Sequence, residues 1–217
     1  MTDDEIRRLV EQKSEGPNLD YKEGFAWTKE NRDKKYELIR DLIAMANTKD
    51  GGRVIFGVRD ADWELVGVSE PIYESVDPSS VGQMLAEQAA PQVRVAVFKR
   101  ELDGKKIAVF DVAEFDDSPI ICMKTITSND GRKRTILRQA ASYIRTNAAT
   151  TEEITSPDDV RSLIARATTR KADELLTSIR DLLTGKPSRV AGDAAAAYAR
   201  EMKEPDDFFG DSGRADA

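Results

Sequence analysis

Apolar and polar positions alternate along the chain in two distinct rhythms, and these divide it into elements. Ile6, Leu9 and Val10 recur at helical spacing behind Thr2, with Glu5 three residues on, which predicts a capping box and a short amphipathic helix over residues 2–13. Ser14 to Asn18 interrupts it, Leu19 to Lys22 reads as a short extended segment, and Phe25-Ala26-Trp27 as a partly apolar loop. Residues 34–47 carry Leu38, Ile39, Leu42, Ile43 and Met45 on one broad face and form the strongest helix pattern in the chain. Gly51-Gly52 stops it, and residues 53–59 read as a buried strand, with a second short strand over 65–68 after a turn at Asp60 to Asp62. Asp77-Pro78 opens a helix that Pro91 ends. Residues 93–99 and 106–112 alternate around Asp103-Gly104, a hairpin signature. Further strands are expected at 120–124 and 136–145, separated by the polar loop 128–134. Ser156-Pro157-Asp158-Asp159 starts a helix expected to end near Ala167, and residues 171–183 carry the stripe Leu175, Ile179, Leu182 and Leu183 of another. Beyond Pro187 the chain turns small, polar and acidic, which predicts a disordered tail with at most a marginal helix over 194–202.

Composition narrows the chemistry. The 217 residues suffice for one well-packed domain and an appendage. There is no histidine, which excludes Ser-His-Asp and Cys-His nucleophiles and histidine-ligated zinc. Cys122 is the single cysteine and sits in an apolar run, so neither an intramolecular disulfide nor a cysteine zinc site is available. Catalysis, if any, must use carboxylates, lysine, tyrosine or a hard metal ion, and phosphodiester cleavage would call for Mg²⁺ or Mn²⁺ on Asp and Glu oxygens. No segment is apolar enough to span a bilayer and the N-terminus is acidic, so no membrane association and a cytoplasmic location are expected. A formal net charge of −7 argues against a polyanionic partner until its distribution is read. From Lys99 to Arg145 there are ten Lys and Arg against seven acids, whereas after Arg145 there are ten against fourteen, so a local basic face is compatible with the acidic total.

Three ordered motifs stand out: Glu15-Gly16-Pro17-Asn18-Leu19-Asp20-Tyr21-Lys22; then Ala44-Met45-Ala46-Asn47-Thr48-Lys49-Asp50-Gly51-Gly52 running into a strand that ends Gly57-Val58-Arg59-Asp60; and Tyr143 to Thr150. Together they resemble the Schlafen AlbA-type domain, whose pattern is an acid, Glu-Phe-Lys, Ala-Asn-Thr-x-Gly-Gly and a strand closing in Gly-Val-x-Asp. Asp20 and Tyr21 stand where that pattern has Glu and Phe, and Lys49 and Asp50 add a residue before the glycine pair. The resemblance implies an α+β fold with a mixed, mainly antiparallel sheet and packed helices, followed by C-terminal helices. The domain then covers residues 1–167, a C-terminal helix 168–186 and an acidic tail 187–217. It also implies nucleic-acid binding, RNA or DNA, and, from Schlafen members, a metal-dependent endoribonuclease acting on structured RNA. A non-catalytic DNA-binding regulator or an assembly subunit is the alternative.

The residues themselves leave several roles open. Glu15, Asp20 and Asp60 lie at segment ends and converge on a metal ion if their strands pair, or serve as caps and turns. Asn47, Thr48, Gly51 and Gly52 suit either a helix-to-strand turn or a cradle of backbone N–H groups for phosphate. There is no P-loop motif for a nucleotide. Lys22, Arg132, Lys133, Arg134, Arg138 and Arg145 are the candidates for phosphate contacts, and Trp27 and Trp63 either stack on bases or anchor loops. Schlafen proteins join two related lobes and this sequence supplies one, so a homodimer is expected, with the helix over 171–183 as the contributor, as a contact for another protein, or packed on its own domain.

Overall fold

The computed structural model describes residues 1–131 and 133–184, and two compact units divide the chain after Ala167. Arg132, the tail from 185 onward and its marginal helix lie outside the described residues. Helix α1 (Asp3–Glu11) begins with the predicted capping box: Glu5 N–H donates to the Thr2 hydroxyl while the Glu5 carboxylate receives the Thr2 N–H. Strand β1 (Leu19–Lys22) follows, then α2 (Arg32–Ala46) and β2 (Gly52–Phe56). The β2 strand is shorter than its sequence pattern because Gly57, at φ +105°, turns the chain, and the N–H groups of Gly57 and Val58 both close on the Lys22 carbonyl. Residues 65–68 form no strand; a single bridge joins Val58 to Leu65, and α3 (Glu70–Ser75) follows directly.

Helix α4 (Pro78–Gln88), capped by the Asp77 carboxylate on Ser80 N–H at 2.8 Å, leads through β3 (Ala89–Ala90) to the hairpin of β4 (Val95–Leu102) and β5 (Lys105–Val112). Asp103 and Gly104 both have positive φ, 52° and 72°, so the two-residue turn carries the twist that the paired strands need. Short strands complete the unit: β6 (Ile121–Cys122), β7 (Ile126–Thr127), β8 (Thr135–Leu137), β9 (Tyr143–Arg145) and β10 (Thr151–Glu153). The single strand expected over 136–145 is two strands, because Ala140 at φ 62° turns the chain back so that Ala140 N–H reaches the Cys122 carbonyl and Cys122 N–H reaches Ala141. Helix α5 runs unbroken over Pro157–Leu183, where two helices were expected. Thr168-Thr169-Arg170 contains neither Gly nor Pro to end it.

The fold is α+β. The main sheet has the order β1-β2-β5-β4, with β1 and β2 parallel and the other neighbours antiparallel. It is covered on both faces. Val54, Phe56, Ala108, Phe110 and Val112 join α2 in one cluster, while Ile55, Ile107 and Val109 join Ile6 and Val10 of α1 in the other. This period-two division fixes where β1 aims its side chains. Leu19 and Tyr21 belong to the α1 cluster, so Asp20 and Lys22, the residues between and after them, are turned to the α2 face. Cys122 is buried in the α2 cluster, and burial pushes its thiol up to about 11, as fits a packing residue.

Candidate functional site

Two acids and two cations meet beneath the α2 face of the sheet. The Arg145 guanidinium donates to Asp20 Oδ1 at 3.0 Å, and Lys22 Nζ lies 2.7 Å from Asp20 Oδ2 and 3.2 Å from Asp41 Oδ2. Thr151 donates to Asp41 Oδ1 at 2.8 Å and receives Arg145 at 3.4 Å, so β10 closes the network. Asp20, Asp41 and Arg145 are buried and Lys22 is partly so. Burial works against the Lys22 charge, but Asp41 and Asp20 outweigh it and hold the ammonium above its ordinary range. The tetrad is charge-balanced, which is the condition under which buried ions are tolerated.

Glu15 and Asp60 lie at its margin. Glu15 Oε1 accepts the Tyr21 N–H at 2.9 Å. Its carboxyl is held above the usual range, first by burial, against the Tyr21 hydrogen bond, and then by the negative charges of Asp20 and Asp60. Asp60 is raised as well, first by burial, with Lys22 opposing and Asp20 and Glu23 adding to it. The parallel pairing of β1 with β2 thus brings Glu15, Asp20 and Asp60 within electrostatic reach of one another. Among the described residues no group of three or more Asp, Glu, Cys or His side chains is arranged to hold an ion. Asp20, the central acid of the trio, has an arginine on one oxygen and a lysine on the other. A divalent cation needs several anionic oxygens free to turn toward it and would sit here against two fixed positive charges. The residues present do not fit Mg²⁺ or Mn²⁺.

The turn between α2 and β2 is held together by its own chain. Asn47 is fully buried; its amide donates to the carbonyls of Ile120 at 2.8 Å and Tyr143 at 3.1 Å, and its oxygen accepts Ile120 N–H at 2.8 Å. The Thr48 hydroxyl donates to Ala44 and receives Arg145 N–H. Gly51, at φ +70°, approaches β5 so closely that a Cβ there would lie 2.1 Å from the Val112 carbonyl oxygen. The backbone N–H of Asp50 is taken by the buried Glu114 carboxylate at 2.9 Å, which also receives Arg166 at 3.0 Å. Where a phosphate cradle was one reading, a resident carboxylate already sits.

The six basic candidates divide into two groups. Lys22 and Arg145 are ion-paired within the tetrad. Arg138 and Arg134 are exposed but pair with Glu153 and Glu37, Lys133 is exposed, and Arg132 lies outside the described residues. Sequence periodicity could not separate these groups, because a charged residue on a short strand looks the same whether its partner is solvent or an acid 125 positions away. What the sequence did not suggest is where the 128–134 loop rests. Asn129 N–H donates to Asp33 at 2.7 Å, Arg134 pairs with Glu37, and Arg32 donates to the Thr127 carbonyl at 3.0 Å. The loop is fixed against the first two turns of α2, where Lys29, Arg32 and Lys35 border an open cleft.

A mixed sheet enclosed between α1 and α2 defines an α+β domain. Residues 15–153 match the family Schlafen, AlbA_2, and the chain belongs to that family. Among solved structures it is similar to the DIP2311 protein of Corynebacterium diphtheriae, with 16% identity and a TM-score of 0.45 over 69% of this chain and 25% of that one. It is also similar to the N-terminal domain of a Nitrosomonas europaea protein described as related to the ATP-dependent DNA helicase RecG, with 20% identity and a TM-score of 0.37 over 58% of this chain and 86% of that one. The chain therefore spans about a quarter of the first of these structures. Comparison with curated proteins gave no match. Among the described residues no helix is long and apolar enough to cross a membrane.

Proposed function

We propose that this chain is a nucleic-acid-binding module that holds phosphates on the face made by the β7–β8 loop and the start of α2, and that it does so without metal-dependent cleavage. Family membership supports the ligand class. The observation that supports the surface is the docking of the loop on α2, where Arg32 bonds Thr127, Asp33 takes Asn129 N–H and Glu37 pairs with Arg134. The ion pair of Arg134 with Glu37 is no obstacle. An exposed pair contributes only about 0–1 kcal/mol, so a phosphate can take the guanidinium at little cost. The tetrad supports the non-catalytic half of the reading, since the acid that would lead a metal site is neutralised by the protein's own cations.

Binding of labelled duplex RNA and DNA across a salt series tests the interface. Lys133→Glu with Arg134→Glu should weaken binding to every sequence and reduce the slope of log K against log salt by about 2, as the loss of two phosphate contacts requires. An unchanged slope removes the loop from the interface. Incubating the protein with structured RNA and with plasmid DNA, in Mn²⁺ and in chelator, tests the second half. Metal-dependent cleavage that disappears in Glu15→Gln or Asp60→Asn overturns it in favour of a carboxylate-metal endoribonuclease.

A separate surface serves assembly. Leu175, Leu176, Ile179 and Leu183 are exposed on α5, and their spacing of three to four residues places them along one side of the helix. We assign this side to contact with a second copy of the chain in a twofold dimer; a different protein partner is the other outcome of the same test.

A further inference from the structure

Beside the loop, residues 25–36 build something that phosphate binding alone does not require. Trp27, Lys29, Arg32, Lys35, Tyr36 and Met84 line an open cleft of about 620 Å³ between the start of α2 and α4. Two aromatic rings and three cations share its lining. The Trp27 ring is held from behind: it stacks on Phe25 with centroids 6.3 Å apart and planes 17° from parallel, and Phe25 rests on Phe56, while the backbone N–H of Trp27 donates to the Ser75 hydroxyl at 2.8 Å. Lys35 Nζ lies 5.6 Å from the centre of the Trp27 ring, and the Arg32 guanidinium 4.8 Å from that of Tyr36. Glu87, held by Gln83 at 3.1 Å, is the single acid on the lining.

We propose that this cleft receives an unpaired nucleic-acid strand, stacking bases on Trp27 and Tyr36 while Lys29, Arg32 and Lys35 follow the phosphates. The proposal rests on the nucleic-acid-binding reading above and specifies its ligand. A duplex turns its backbone outward and keeps its bases stacked inside, so half-buried rings within a cleft reach bases only where pairing is absent. The Trp27 ring is preorganised by its stacking on Phe25, and the Ser75 hydroxyl anchors the backbone that carries it. The cations over the rings are readily displaced, since an exposed cation–π contact is worth less than a base stacked on the same ring, and a displaced lysine gains a phosphate. Arg32 joins the cleft to the β7–β8 loop through the Thr127 carbonyl, so a strand leaving the cleft passes directly to Lys133 and Arg134. A junction between paired and unpaired nucleic acid would use both surfaces at once.

The test is fluorescence anisotropy on the full chain with labelled oligo-U, oligo-dT and a blunt duplex, together with quenching of Trp27 emission in a Trp63→Phe background. Single strands should bind more tightly than the duplex and quench Trp27. Trp27→Leu should weaken single-strand binding about tenfold and leave duplex binding unchanged. Because Trp27 also packs against the core, Lys29→Ala with Lys35→Ala, an exposed and a half-buried cation, provides a counterpart outside the core: it should lower the single-strand salt slope by about 1.4 with no change in the unfolding midpoint. If the duplex binds as tightly as the single strands and neither variant alters binding, the cleft is not the site, although the loop reading stands as long as Lys133→Glu with Arg134→Glu still weakens binding. If no nucleic acid binds at all, both proposals fall. A preference for oligo-U over oligo-dT, or the reverse, identifies the strand chemistry and supports the proposal in either direction.

Discussion

Arg145→Ala removes the deepest cation of the tetrad, and its cost follows from what remains. The Asp20 carboxylate loses its 3.0 Å partner while only 5% exposed, and the cluster passes from neutral to a net single negative charge with Lys22 as the one remaining cation on Asp20. Breaking a buried pair from one side leaves an uncompensated charge and costs about 3–5 kcal/mol. With a urea dependence of about 2 kcal/mol per molar, the unfolding midpoint should fall by about 2 M. Arg138→Ala is the matched control. It also deletes an arginine–carboxylate pair, with Glu153, but an exposed one, and should shift the midpoint by less than about 0.5 M. Urea unfolding of the two variants and the wild type, followed by far-UV circular dichroism at neutral pH, makes the comparison. Equal shifts for Arg145→Ala and Arg138→Ala would mean that Asp20 is not bound to its cations in any energetic sense, and the argument that it cannot serve a metal would go with it.

Glu15 carries a carboxyl raised chiefly by burial, so its ionised form disfavours the fold: the stability linked to its proton is present below the unfolded pKa of about 4.3 and is lost as pH rises through the higher folded value. Glu15→Gln, which keeps an acceptor for Tyr21 N–H, should therefore be at least as stable as wild type at pH 7, with any advantage vanishing near pH 4; a variant clearly less stable at pH 7 contradicts this. Gly51→Ala should destabilise the fold by more than about 1 kcal/mol, because the methyl would meet the Val112 carbonyl and the backbone sits at positive φ; an unchanged melting temperature refutes the reading of that turn. Light scattering on the intact chain and on a chain ending at Arg166 should report a dimer and a monomer respectively; a monomeric intact chain rules out self-association, and a dimer that survives truncation clears the far half of α5 of that role.

The elements that could be read from sequence were those whose signals are local. Thr2 with Glu5 and Asp103 with Gly104 each settle a terminus or a turn within four residues, and the structure shows both as read. The division of 136–145 into two strands depends instead on hydrogen bonds to Cys122, and α5 continues because a stop that the stripe pattern implied has no glycine or proline behind it. The candidate site was legible as a set of residues but not as an arrangement. Motif spacing put Glu15, Asp20 and Asp60 at the ends of two segments that converge if those strands pair, yet Asp41, which reads as one more polar position on a helix, completes the buried network. Lys133 and Arg134 are exposed, as their place in a polar loop suggested, while Lys29, Arg32 and Lys35 became visible as candidates only once the residues around Asn129 were seen lying on α2.

Asn47 carries one more consequence, in time rather than in space. The side chain that ends α2 has its partners 73 and 96 positions later, at Ile120 and Tyr143. At a synthesis rate of about 5–20 residues per second, roughly 5–20 s pass between the appearance of Asn47 and that of Tyr143. Until Ile120 emerges the helix end has neither partner, and until Tyr143 emerges it has only one of the two. Completion of the helix end is thereby tied to delivery of the last strands, and a ribosome-bound chain ending before β9 lacks the Tyr143 half of the clamp however well its first helices have formed.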